Sequence, residues 1–153
     1  MRAAGRVAQA GAVAAGLALA LMMLVTVADV ALRGLAGSPI RGTFELVELG
    51  LAATFFFALP LSFLHDEHIV VDSVDHRAPR VVPRLRRTAA VVSASVLGLM
   101  TWQALVGARD SVAFSDVSAD LSLPQVLYWV PVVLGLTGAL VAAVLRATTG
   151  REG

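Results

Sequence analysis

The sequence predicts an all-α integral membrane protein with four transmembrane helices and both termini in the cytoplasm. Two observations carry this: four long apolar runs, and an uneven division of arginine among the segments that join them. The runs are 7–28, 46–64, 88–108 and 121–145, and within them only Glu48 is charged. A bilayer core of about 30 Å takes about 20 helical residues, so each run is long enough to cross. Lipid offers no partner to backbone N–H and C=O groups, so a crossing segment must be a helix or a barrel strand. Continuous apolarity over several helical turns excludes the alternating pattern of a barrel strand.

Composition agrees. Of 153 residues, 58% are hydrophobic and 15% charged, too little polar surface to cover a soluble globule. The chain is therefore read as one membrane domain, residues 1–153. A net charge of +1, with the basic residues clustered in one loop rather than along a groove-reading element, gives no footprint for nucleic acid. The absence of cysteine removes thiol redox chemistry, disulfides and iron–sulfur ligation.

Arginine sets the orientation. Arg2 and Arg6 precede the first run, Arg77, Arg80, Arg84, Arg86 and Arg87 lie in the 65–87 loop, and Arg146 and Arg151 follow the fourth run. Only Arg33, Arg41 and Arg109 fall on the other side, so the division is nine to three. The positive-inside rule then places both termini and the 65–87 loop in the cytoplasm. A cleavable signal peptide is the alternative for the first run, with Thr26-Val27-Ala28 as a weak cleavage site. The run is long for that, and its loss would put the arginine-rich loop on the same side as the new N-terminus.

Each run carries small residues four apart: Ala8, Ala12, Gly16 and Ala20; Gly50, Thr54 and Ala58; Ala90, Ala94 and Gly98; Gly135, Ala139 and Ala143. Helices in lipid associate by close packing, which such residues permit, and a compact bundle is expected. Phe55, Phe56 and Phe57 point in three directions and suit lipid-facing and interhelical filling. Trp102, Tyr128 and Trp129 are read as interface aromatics. Pro124 suits the opening of the fourth helix, whereas Pro60 and Pro131 are expected to kink theirs.

Charge at the membrane edge is the usual pointer to function, because burying it is costly. Asp29 stands four residues before Arg33, the favourable order for an intrahelical pair. Glu45 and Glu48 share a face of the first turn of span two, where the helix dipole favours negative charge. One reading is a proton or cation site. The other, which is preferred, is a charge-neutralising network of Asp29, Glu45 and Glu48 with Arg33 and Arg41 that fixes helix positions or meets a partner subunit. No ionisable residue lies near the middle of any span.

The segment His65-Asp66-Glu67-His68, with Asp72, Asp75 and His76, has metal-ligating residue types. It lacks the spacing of zinc hydrolases and falls at a helix end where charge is expected anyway. A bound metal is therefore not expected, and all three His residues in one loop argue against haem. With no nucleophile set, phosphate loop or acid pair elsewhere, the chain is not expected to be an enzyme or to hold a cofactor.

The order of motifs resembles the small membrane subunit of tripartite ATP-independent periplasmic (TRAP) transporters, the DctQ-like small permease family. The residues are Asp29-Val-Ala-Leu-Arg33; Ser38-Pro-Ile-Arg-Gly-Thr-Phe-Glu-Leu-Val-Glu48; His68-Ile-Val-Val-Asp72; the basic stretch with Pro79 and Pro83; Trp102; and Leu121-Ser-Leu-Pro124. The likeness runs from about Asp29 to Arg146, with Asp66-Glu67 where the family often has glycine. It implies a bacterial inner-membrane scaffold subunit working with a large permease and a periplasmic binding protein. That assembly takes up an organic anion, often a carboxylate, by ion-driven symport, with substrate and ion sites in the large subunit. Asp29, Arg33, Arg41, Glu45, Glu48, His68 and Asp72 are then structural or partner-interface residues. Two alternatives are a self-sufficient homodimeric transporter using Glu48, and a membrane-anchored metal-binding protein using the 65–76 loop.

Overall fold

The computed structural model describes residues 2–65 and 82–149. They form four helices: α1 over Arg2–Ala36, α2 over Thr43–His65, α3 over Val82–Ala113 and α4 over Val126–Thr149. At 1.5 Å per residue the shortest, α2 with 23 residues, is about 34 Å long, and the longest, α1 with 35, about 52 Å. All four are long and apolar enough to cross a bilayer. The helices therefore overrun the apolar runs. The fourth is the exception: the run begins at Leu121, but Ser122 takes a left-handed φ of 53° and α4 starts only at Val126. Apolar side chains at Leu121 and Leu123 conceal a loop whose backbone cannot be helical at Ser122.

Packing is sequential rather than closed. α1 lies along α2, α2 along α4 and α4 along α3, and no other pair packs along its length. The order across the molecule is thus α1–α2–α4–α3, an open row in place of the expected compact bundle. Among the described residues no large side chain is fully buried, and apolar side chains such as Leu17, Leu24, Val92 and Leu99 stand exposed on the edge helices. A cluster of buried apolar residues joins α2, α3 and α4 through Leu97, Ala104, Leu136, Ala139 and Ala143, with Phe56, Leu59, Phe63 and Trp129 against them.

Glycine makes the close approaches possible. A Cβ on Gly135 would collide with the carbonyl of Phe56, and one on Gly11 would lie 2.8 Å from the carbonyl oxygen of Phe57. On that α1–α2 seam the Thr54 hydroxyl donates to the Ala15 carbonyl at 3.3 Å. Interhelical bonds of this kind contribute about 0.6 kcal/mol on average. The seam on α1 is Ala8, Gly11, Ala15 and Ala18, not the predicted row Ala8, Ala12, Gly16 and Ala20, of which Gly16 and Ala20 are exposed. Residues four apart advance 400° around a helix, so a strict four-step row drifts off the contact face, whereas alternating steps of three and four stay on it. The same correction applies to α3, where Leu97, Thr101 and Ala104 are buried while a Cβ on Gly98 would meet nothing within 4 Å. On α4 the predicted residues Gly135, Ala139 and Ala143 are all buried.

The aromatic and proline residues divide. Phe55 is exposed and stands edge-on to Phe56, with centroids 5.2 Å apart. Trp102 is exposed, but Trp129 lays its ring over Gly107 inside the α3–α4 contact. Helices α2 and α4 run unbroken through Pro60 and Pro131, and the Pro60 ring sits over Gly138.

Candidate functional site

The α1–α2 connection and the α3–α4 loop lie side by side at one end of the row, and two carboxylates hold them. Asp29 is buried near the end of α1. Its Oδ2 accepts Arg33 Nη2 at 2.7 Å, and its Oδ1 accepts the backbone N–H of Ile40 at 2.8 Å. The Thr43 hydroxyl lies 3.1 Å from the same Oδ1 and 2.9 Å from the Ile40 carbonyl, so its one proton serves either acceptor. The side chain of Asp29 therefore ties α1 to the connection and to the first residue of α2. The turn between them needs glycine. Gly37 follows α1 with φ of 64°, and Gly42 precedes α2 with φ of 73°, where the mirror-image backbone excludes most side chains.

Glu45 occupies the opening turn of α2 and is also buried. Its carboxylate points across to the α3–α4 loop: Oε1 accepts the Asp120 N–H at 2.7 Å, and Oε2 accepts the Ser118 hydroxyl at 2.8 Å and the Leu121 N–H at 3.0 Å. Ser118 Oγ in turn accepts the Leu123 N–H at 3.0 Å, and Val117 pairs with Pro124 in a short antiparallel bridge. The Leu121 side chain packs over Gly42, where any Cβ would collide with it. The two loops thus interlock in both directions. A carboxylate just after the first, in the opening turn of α2, reaches into the second, and an apolar side chain from the second covers the turn of the first.

The α3–α4 loop begins on a capped helix. The Ser115 N–H donates to the Val112 carbonyl and the Asp116 N–H to the Ser111 carbonyl, both at 3.2 Å, with Ser115 at φ of 53°. That is the Schellman arrangement with serine in the left-handed position that glycine usually fills.

Of the seven residues singled out in the sequence, the structure pairs two with each other, Asp29 and Arg33. The expected single network is not formed. Glu45 is satisfied by amides and a hydroxyl instead of arginine, and Glu48 and Arg41 are exposed with no hydrogen bond or ion pair among the described residues. A carboxylate in a helix's opening turn can use backbone N–H groups of a neighbouring loop as well as a cation, and charge counting does not see them. His68 and Asp72 lie outside the described residues. The partners that the sequence reading did not assign are Ile40, Thr43, Ser118, Asp120 and Leu121. Most act through the main chain, which leaves no signature in residue type.

A family model described as "Tripartite ATP-independent periplasmic transporters, DctQ component" matches residues 22–151, which include both acids and both loops. The chain belongs to the DctQ family. No curated relative and no solved structure matches it. This DctQ protein is accordingly a small permease component of a TRAP transporter, an inner-membrane transport component and not an enzyme. The family works with a large permease and a periplasmic binding protein. The four apolar helices have the form that this membership requires.

Proposed function

We propose that this DctQ protein is the scaffold subunit of a transporter that takes up an organic anion, a carboxylate, by ion-driven symport with its own large permease and binding protein. The observation that carries this reading is the use of the buried acids. Asp29 and Glu45 each meet three donors within the chain, so their charge is consumed in holding loops together. Ion-coupled carriers bind substrate and ion near the midplane on broken helices. Here residues 7–28, 49–64, 88–108 and 121–145 contain no ionisable side chain except Tyr128, near the start of α4.

The proposed orientation keeps both termini and the 65–87 loop in the cytoplasm, which puts the interlocked loops on the periplasmic side. The open row of helices leaves α1 and α3 with apolar faces for lipid and for the large permease. Asp29, Arg33, Arg41, Glu45, Glu48, His68 and Asp72 remain proposed structural or interface positions. Proteoliposomes test the scaffold reading. The chain alone is expected to give no ion-driven uptake, and the chain with its large permease and binding protein to restore it. Uptake by the chain alone would overturn the reading.

A further inference from the structure

A cavity of about 460 Å³ opens between the α1–α2 connection and the α3–α4 loop, with Arg33, Arg41, Thr43, Phe44 and Asp120 in its wall. It is a cleft open to the surface rather than an enclosed chamber. Arg41 makes no hydrogen bond or ion pair among the described residues, and Arg33 gives Asp29 one of its five N–H donors, so both guanidinium groups retain capacity. The wall also includes the opening turn of α2, whose first N–H groups have no intrahelical acceptor. One part of the cavity is thus rich in donors, and Asp120 is the acidic residue among those that line it.

Its depth narrows the ligand. The apolar run of α1 ends at Ala28 and that of α2 begins at Leu46, so residues 33–44 lie at the apolar–polar boundary, where phospholipid headgroups sit. Phe44 is 87% exposed beside the cavity, an aromatic ring placed at that boundary. A planar guanidinium matches two phosphate oxygens at once.

We propose that this cavity binds the headgroup of a phospholipid, with the phosphate on Arg41 and Arg33. Asp120 faces the ammonium of an ethanolamine headgroup and selects it over glycerol, which carries no positive charge for the carboxylate to meet.

The test uses the full chain, purified in detergent, stripped of lipid and titrated by native mass spectrometry. The titrants are phosphatidylethanolamine, phosphatidylglycerol and inorganic phosphate. Phosphatidylethanolamine is expected to bind best, Arg41→Ala to weaken it by about tenfold or more, and Arg41→Lys to recover part of the loss. Asp120→Asn is expected to remove the preference between the two lipids. Arg109→Ala, a cation lost outside the cavity, is expected to bind like the parent. Equal affinity in the parent and Arg41→Ala would overturn the proposal, as would an equal loss in Arg109→Ala. Displacement of lipid by millimolar inorganic phosphate would assign the site to soluble anions and also overturn it. Should Arg41→Ala lose its helical circular dichroism, the lipid preference of Asp120→Asn decides: an unchanged preference for phosphatidylethanolamine refutes the proposal.

Discussion

The carboxylate of Glu45, in the first turn of α2, accepts the backbone N–H of Asp120 at 2.7 Å across 75 residues of chain. With the Ser118 hydroxyl and the Leu121 N–H on the same group, this one side chain sets the conformation of the α3–α4 loop. Replacing it by alanine strands three donors. Glutamine is no substitute, because its amide nitrogen would face N–H and O–H groups that already donate. Both Glu45→Ala and Glu45→Gln are expected to lower the melting temperature in detergent and to open the 114–125 loop to protease. Parent-like protection of that loop in Glu45→Ala would refute the template role.

Asp29 and Arg33 form an ion pair, but the two ends are not equivalent. The Arg33 side chain is 65% exposed, and exposed pairs contribute little. Asp29 also accepts the Ile40 N–H, which loses its acceptor when Asp29 is removed, whereas the Thr43 hydroxyl keeps the Ile40 carbonyl. The expected order of thermal stability is therefore parent, then Arg33→Ala with a small loss, then Asp29→Ala with a clear one. Equal losses would mean that the ion pair, and not the loop anchoring, dominates.

Four spans were legible in the sequence because apolarity over about 20 residues leaves the backbone a single solution. The pairing of Asp29 with Arg33 was legible because spacing of four places both on one face. The Glu45 site was not: two of its three donors are main-chain groups 75 and 76 residues away, and the second half of its loop, from Leu121, falls inside an apolar run. The helix seams were half legible. Small residues did mark close approach on α4, but on α1 and α3 a row spaced strictly by four leaves the contact face after two steps.

Glycine variants separate the true seams from the coincidental small residues. Gly135→Ala would drive a methyl into the Phe56 carbonyl, which belongs to the backbone and cannot rotate away. Overpacking of this kind costs about 1–3 kcal/mol. Gly98→Ala meets nothing within 4 Å and is expected to be neutral or slightly stabilising. Ser115→Gly relieves a left-handed serine at the end of α3 and is expected to stabilise by about 1 kcal/mol. Thermal melts of the three variants check the ranking, and a Gly98→Ala loss as large as that of Gly135→Ala would contradict the assigned seams.

The proposed orientation rests on the nine-to-three arginine division, and the cysteine-free chain suits a direct measurement. Single cysteines at Ser38, in the exposed α1–α2 connection, and at Arg80, in the 65–87 loop, are treated with an impermeant maleimide in intact spheroplasts. Labelling is expected at position 38 and not at 80. The reverse result would invert the topology and place the interlocked loops in the cytoplasm.

Glu48 presents the sharpest choice between scaffold and carrier. It lies one turn beyond Glu45 on α2, is exposed, and has no hydrogen bond or ion pair among the described residues. An unpaired carboxylate in a membrane-spanning helix is costly and calls for a partner from water, lipid or another subunit. Because the isolated chain does not use it, Glu48→Gln is expected to leave the melting temperature of the purified subunit unchanged. In the complex, Glu48→Ala is expected to lower the yield of co-purified large permease. Gln should do so less, since the amide keeps the shape and still accepts a hydrogen bond. Uptake per assembled complex should then match the parent, because a scaffold contact affects how many complexes form and not how each one works. A coupling carboxylate behaves in the opposite way, since Gln cannot take up and release the charge that coupling needs. Normal assembly of Glu48→Gln with no uptake would therefore refute the scaffold role at this position and move part of the ion-coupling machinery into the small subunit.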